Sequence, residues 1–118
     1  MKKKVVAISG SARQHSTNQA ILKFIATSFS DVMEVEIFKS VHLIPPFNPD
    51  LDKENPPPIV EELRKSIKEA DAVIISTPEY IFSLPGRLKN LIDWHVSTTV
   101  FEGKPVAIIV AAASGEKA

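Results

Sequence analysis

The sequence predicts an α/β protein built on a parallel, doubly wound sheet, and three observations carry that prediction. Three continuous apolar runs, Val5 to Ser9, Ala72 to Ser76 and Val106 to Ala112, read as strands buried on both faces. A stretch with helical apolar spacing lies between each predicted strand and the next. The resulting β-α-β-α-β-α-β alternation is the pattern of a parallel sheet joined by crossover helices.

Taken in order, the first strand, Val5 to Ser9, ends at Gly10 in a polar turn. Ser16 and Gln19 have the spacing of a capping box, a hydroxyl followed three residues later by an amide. The helix from Gln19 to Phe29 repeats Ile21, Leu22, Phe24, Ile25 and Phe29 at helical spacing. Val32 to Phe38 alternates through Val32, Met33, Val35 and Ile37, and the charged residues between them predict an edge strand. Ser40 to Pro58 is rich in proline and reads as one long loop of limited freedom, of a kind that is often functional. Ile59 to Ala70 restarts the helical period through Val60, Leu63 and Ile67. After the third strand, Thr77 to Leu84 is a loop and Pro85 to about His95 a helix with proline at an early position. Gly103-Lys104-Pro105 turns the chain into the fourth strand.

Composition sets bounds on function. A chain of 118 residues with 44% apolar and 24% charged residues is one domain with a real core. Fourteen basic and fourteen acidic side chains cancel, so nothing in the charge points to nucleic acid or a membrane surface. The absence of cysteine excludes disulfide and thiolate chemistry. No apolar run approaches the roughly 20 residues of a membrane span, and the start lacks the apolar core of a signal peptide. A cytoplasmic setting is the expectation.

The most informative turn is Gly10-Ser11-Ala12-Arg13-Gln14-His15-Ser16, at the carboxyl end of the first strand. Ligands of doubly wound sheets bind at such ends, where strand order reverses. The turn lacks the repeated glycines of a dinucleotide fingerprint and the Gly-Lys-Ser/Thr of a P-loop. It also lacks the acidic pair of a receiver domain. It offers hydroxyls (Ser9, Ser11, Ser16, Thr17), the Asn18 amide and the Arg13 guanidinium ahead of a helix N-terminus. That donor set suits a terminal phosphate monoester. A plain polar turn with Ser16 as helix cap reads equally well from these residues alone.

A second stretch, Thr77 to Trp94, follows the third strand, which neighbours the first in a 2-1-3-4 order. Both loops then open on one crevice. Pro78, Pro85 and Gly86 can present backbone amides to a flat ring, with Tyr80 as an aromatic edge. The competing reading is a rigid loop whose Tyr80 and Phe82 pack, with Leu91 and Trp94 in the core.

Together these stretches resemble the NADPH-dependent FMN reductase family of flavodoxin-like proteins. The family's turn, Gly-Ser-x-Arg-x-x-Ser-x-Asn, is matched by Gly10-Ser11, Arg13, Ser16 and Asn18. Its Pro-Glu-Tyr is matched by Pro78-Glu79-Tyr80, and its helix by Pro85-Gly86, Leu88-Lys89-Asn90 and Asp93-Trp94. Residues Pro46 to Leu51 also resemble the family's loop after the second strand.

The resemblance implies a flavodoxin-like sheet of order 2-1-3-4. It implies that Ser11, Arg13, Ser16, Thr17 and Asn18 hold the phosphate of FMN. Pro78, Glu79, Tyr80 and Ile81 would line the isoalloxazine, with Ile81 standing where the family usually carries an amide. Ser114 and Gly115 would border the flavin's other side. Hydride would pass from NADPH or NADH through FMN to a free flavin, a quinone, an azo dye or a metal oxyanion. No side chain need act as acid or base, so no catalytic residue is expected. A homodimer through the Pro85 to Trp94 helix, or a higher homo-oligomer, is also implied.

The usual fifth strand of the family is missing from this sequence. That leaves Val106 to Ala113 as an apolar edge to be covered by a partner or a second copy, or else the chain is a truncated product. Beside the enzyme reading stand a flavin-holding electron-transfer or accessory protein and an inactive truncated chain. His15, His42 and His95 are too scattered for a metal site and read as solvated or packed residues. Glu79 and Asp93 read as structural. Arg87 and Lys89 read either as a solvated face or as contacts to an NADPH phosphate.

Overall fold

The computed structural model describes residues 2–11, 16–79, 83 and 85–111. Four parallel strands form one sheet in the order β2-β1-β3-β4, with β1 at Lys3–Ser9, β2 at Met33–Phe38, β3 at Ala72–Thr77 and β4 at Val106–Val110. The helices are α1 (Thr17–Ser28), α2 (Pro49–Glu54), α3 (Pro58–Glu69) and α4 (Gly86–Asp93). The predicted strand order and the edge position of β2 are both present.

β1 and β3 are the buried centre of the sheet. Val6, Ile8, Val73 and Ile75 join Leu63 and Ile67 of α3 and Leu88 and Leu91 of α4 in one apolar cluster. Val5 and Ala7, which alternate to the opposite face, are buried too. α3 follows expectation, with Val60, Leu63 and Ile67 buried along one stripe. In α1 only Leu22 is fully buried among the apolar repeats, while Phe24 is 67% exposed. Phe24 stands two positions from Leu22, about 200° around a helix of 3.6 residues per turn, and so faces away from the sheet.

Three expectations are corrected. The proline-rich segment is not one loop: it contains a 3-10 turn, Val41–Leu43, and the helix α2. Asn48 caps α2, its Oδ1 accepting from Asp50 N at 2.9 Å, and Pro49 occupies the first turn, where a missing N–H costs nothing. Pro85 is the N-cap of α4 rather than a residue of its first turn. The fourth strand is not buried. Val106, Ile108 and Val110 are 41%, 64% and 44% exposed, because no described element packs over them. β4 thus has the apolar sequence of an interior strand at an edge position.

The proline-rich segment is clamped to α4 by side chains. Asn90 Oδ1 accepts from Phe47 N at 2.7 Å, and Asn90 Nδ2 donates to Pro45 O at 2.9 Å. Trp94 Nε1 donates to the same carbonyl at 2.8 Å, while the Trp94 ring meets Phe47 edge to face at 5.1 Å. Further on, Arg64 joins three elements: it pairs with Asp52 of α2 at 2.8 Å, with Glu61 of α3 at 3.3 Å, and donates to Trp94 O past α4. Ser97 Oγ completes the cluster by donating to Asp52 Oδ2 at 2.6 Å.

Candidate functional site

β1 and β3 end side by side, with Ser9 opposite Ser76 in register. β1 is flanked by β2 on one side and β3 on the other, so strand order reverses here and the segments leaving the two strands part. Gly10 N donates to Ser76 O at 2.8 Å, which holds the start of the turn against β3. Ser11 N donates to Ser9 Oγ at 3.3 Å.

The turn re-enters described structure at Ser16. Its extended backbone makes it the N-cap of α1, and its Oγ accepts from Gln19 N at 3.1 Å. This is the hydroxyl half of the predicted capping box. The amides of Thr17 and Asn18 have no acceptor within the helix. α1 is 12 residues long and has no acidic residue in its first turn, so no side chain of that turn offsets the positive end of its dipole. Thr17 is exposed and Asn18 is only 3% exposed. Asn18 Oδ1 accepts from Ser76 Oγ at 2.8 Å, tying the first turn of α1 to the last residues of β3.

On the other side, Thr77 Oγ1 donates to Pro78 O at 2.8 Å, and Pro78 and Glu79 are half-buried. Glu79 Oε1 is buried with no hydrogen-bond partner among the described residues. The site therefore combines amide and hydroxyl donors at α1 with an unmatched carboxylate acceptor at the end of β3. Phosphate oxygens need the first and a heterocyclic N–H needs the second, so these residues fit FMN.

Of the residues expected to bind cofactor, Ser11, Ser16, Thr17 and Asn18 lie beside β1 and α1, and Pro78 and Glu79 lie at the end of β3. Arg13, Tyr80, Ile81, Ser114 and Gly115 fall outside the described residues. Sequence reasoning missed Ser76 and Thr77, which join the two halves. Their signal was available: two hydroxyl residues at the carboxyl end of an otherwise apolar strand.

The sequence profile of the NADPH-dependent FMN reductase family matches residues 3–118, and the chain belongs to that family. It is 41% identical over 112 residues to an NAD(P)H-dependent FMN reductase of Pseudomonas aeruginosa, covering 93% of this chain and 60% of that protein. It is 39% identical over 110 residues to a quinone reductase of Escherichia coli, covering 91% and 58%. FerB of Paracoccus denitrificans, a flavoenzyme NAD(P)H:(acceptor) oxidoreductase, superposes with a TM-score of 0.84 at 33% identity, over 92% of this chain and 60% of FerB. The chain thus spans about three fifths of the length of these relatives.

Proposed function

We propose that this chain is a single FMN-binding domain of an NAD(P)H-dependent oxidoreductase, passing reducing equivalents to a quinone, a flavin, an azo compound or a similar small acceptor. The observation that carries the reading is the Ser76–Asn18 bond. It ties the first turn of α1, which carries no acidic residue, to the carboxyl end of β3, the place where a doubly wound sheet binds its ligand. The names of the relatives support the chemistry, since they are FMN and quinone reductases.

In this reading Ser11, Ser16, Thr17 and Asn18, with Arg13, hold the phosphate. Ser16 serves twice, accepting from Gln19 N while its own O–H remains a donor. Pro78 and Glu79, with Tyr80 and Ile81, would line the ring, where the Glu79 carboxylate would supply an acceptor for a ring N–H, and Ser114 and Gly115 would border its other side. Bound FMN supplies the hydride chemistry, taking two electrons from NADH or NADPH and giving them to the acceptor. The protein's own part is to bind and orient, which is why no acid or base is assigned.

The reading includes a homodimer formed through α4. Ile92 on α4 and Val96 just past it are 44% and 75% exposed, apolar area that a second copy would bury. It also includes a cytoplasmic setting, which a cysteine-free chain suits. Among the described residues no helix is long and apolar enough to cross a membrane. The test is NAD(P)H oxidation by FMN-loaded protein on addition of a quinone. Turnover supports the reading, and flavin that binds but is never reduced by NADH or NADPH leaves only the electron-transfer or accessory role.

A further inference from the structure

We propose that a cleft beside α4 reads the phosphate monoester on the adenosine end of the dinucleotide donor, and that Arg87 decides for NADPH over NADH. The inference rests on the oxidoreductase reading above. The cleft measures about 370 Å³, within the usual range of ligand pockets, and opens between the 3-10 turn Val41–Leu43 and the start of α4. Val41, Ile44 and Pro46 make an apolar side, and Arg87 and His42 make a polar one.

Three features favour an anionic nucleotide over water. First, Arg87 is exposed and makes no ion pair among the described residues, whereas Lys89 pairs with Asp93 at 2.6 Å and Arg64 with Asp52 at 2.8 Å. The two cations of α4 therefore divide, with Lys89 matched on its own helix and Arg87 open to the cleft. Second, no carboxylate lines the cleft among the described residues, so a phosphate would meet a guanidinium fork and an imidazole with no opposing charge. Third, the wall is built. Asn90, which also lines the cleft, spends its amide on Phe47 N and Pro45 O, and Trp94 bonds the same Pro45 carbonyl. The apolar side is held where a base could lie against it.

The cleft also adjoins the candidate flavin site. Leu88, the residue after Arg87, reaches back to Gly10, where a Cβ would come within 3.2 Å of Leu88 Cδ2. The cleft and the candidate flavin site therefore border the same helix, α4, through the adjacent residues Arg87 and Leu88. A dinucleotide with its nicotinamide at the flavin can place its other end here.

The experiment is calorimetric titration of the purified chain with two probes, the adenosine bisphosphate half of NADPH and the adenosine monophosphate half of NADH. FMN affinity is measured on the same samples by flavin fluorescence. The bisphosphate is expected to bind roughly tenfold more tightly, and Arg87→Ala should erase that margin without changing FMN affinity. Arg87→Lys, which keeps the charge but not the fork, should restore part of it. Equal binding of the two probes overturns the proposal. So does a margin that survives Arg87→Ala, or inorganic phosphate competing as well as the bisphosphate. FMN binding without the margin sinks this inference alone, whereas an Arg87-dependent margin without FMN binding sinks the flavin reading and leaves the cleft.

Discussion

Thr77 closes directly on Gly10: a methyl group at Gly10 would come within 2.6 Å of Thr77 Oγ1 and 2.9 Å of Thr77 Cβ. Neither atom can yield, because Thr77 is buried, branched at Cβ and hydrogen-bonded through Oγ1 to Pro78 O. The glycine is required by this close approach of the turn to β3.

Gly10→Ala should therefore push the turn away from β3. The expected cost is about 1–3 kcal/mol in urea denaturation, as for an overpacked core, together with weakened FMN binding. A variant with unchanged stability would show that the turn is not held against β3.

Ser76→Ala removes the donor to Asn18 Oδ1 and strands a buried acceptor. A loss of about 1–3 kcal/mol is expected, with a further loss of FMN affinity because the first turn of α1 is no longer pinned. Ser76→Thr keeps the hydroxyl and separates the hydrogen bond from side-chain size. If both variants bind FMN as the wild type does, the Asn18 tie plays no part in the site.

Asn90→Ala should cost more than Trp94→Phe. Asn90 satisfies two backbone groups, Phe47 N and Pro45 O, whereas the indole contributes one bond to a carbonyl that Asn90 also serves. Chemical denaturation should rank them in that order, with roughly 1 kcal/mol for the single bond. Limited proteolysis between Pro45 and Pro57 should speed up in Asn90→Ala alone. The reverse order would mean that Trp94 packing, not Asn90, holds the segment.

Acid should destabilise the protein in two stages. His95 Nδ1 lies 2.8 Å from Leu91 O, a carbonyl that can only accept, so Nδ1 carries the proton and Nε2 is a bare nitrogen. Nε2 is buried without a partner among the described residues, and burial, with Arg64 nearby, lowers the His95 pKa below its ordinary 6.5. A lowered histidine pKa means that the unfolded chain binds the proton first. Its stability contribution is present above about pH 6.5 and is lost as pH falls below that value. Asp52 is held below its ordinary 3.8 by hydrogen bonds from Ser97 and Arg64, so its contribution is present above that value and lost as pH falls through the folded value. Unfolding free energy measured against pH should fall first below about 6.5 and again below about 4. His95→Gln should remove the first decline. A decline that persists in His95→Gln would assign it to another group.

How much was legible depended on whether the cause was local. β1 and β3 were readable because Val5 to Ser9 and Ala72 to Ser76 are apolar on both faces, which a central parallel strand requires. The Ser16 cap was readable because its partner Gln19 is three residues away. α2 was missed although Asn48 and Pro49 signal a helix start, because the prolines around it dominate the pattern. Its anchors are remote, with Arg64 twelve and Ser97 forty-five residues from Asp52. β4 was legible in two conflicting ways: its apolar run reads as a buried strand, while the family's strand pattern already marks Val106 to Ala113 as an apolar edge in need of cover. The exposed Val106, Ile108 and Val110 agree with the second. At the site, the turn was recognisable from residue types. The Asn18–Ser76 bond spans 58 residues and emerges only when β1 and β3 pair.

FMN titration of the purified chain, followed by quenching of flavin fluorescence, shows whether the turn after β1 and the end of β3 hold a flavin. Saturable binding of one FMN per chain is expected, weakened roughly 10- to 150-fold by Arg13→Ala through loss of about 1.5–3 kcal/mol of charge-assisted hydrogen bonding. Absence of quenching, or equal affinity in wild type and Arg13→Ala, would contradict it.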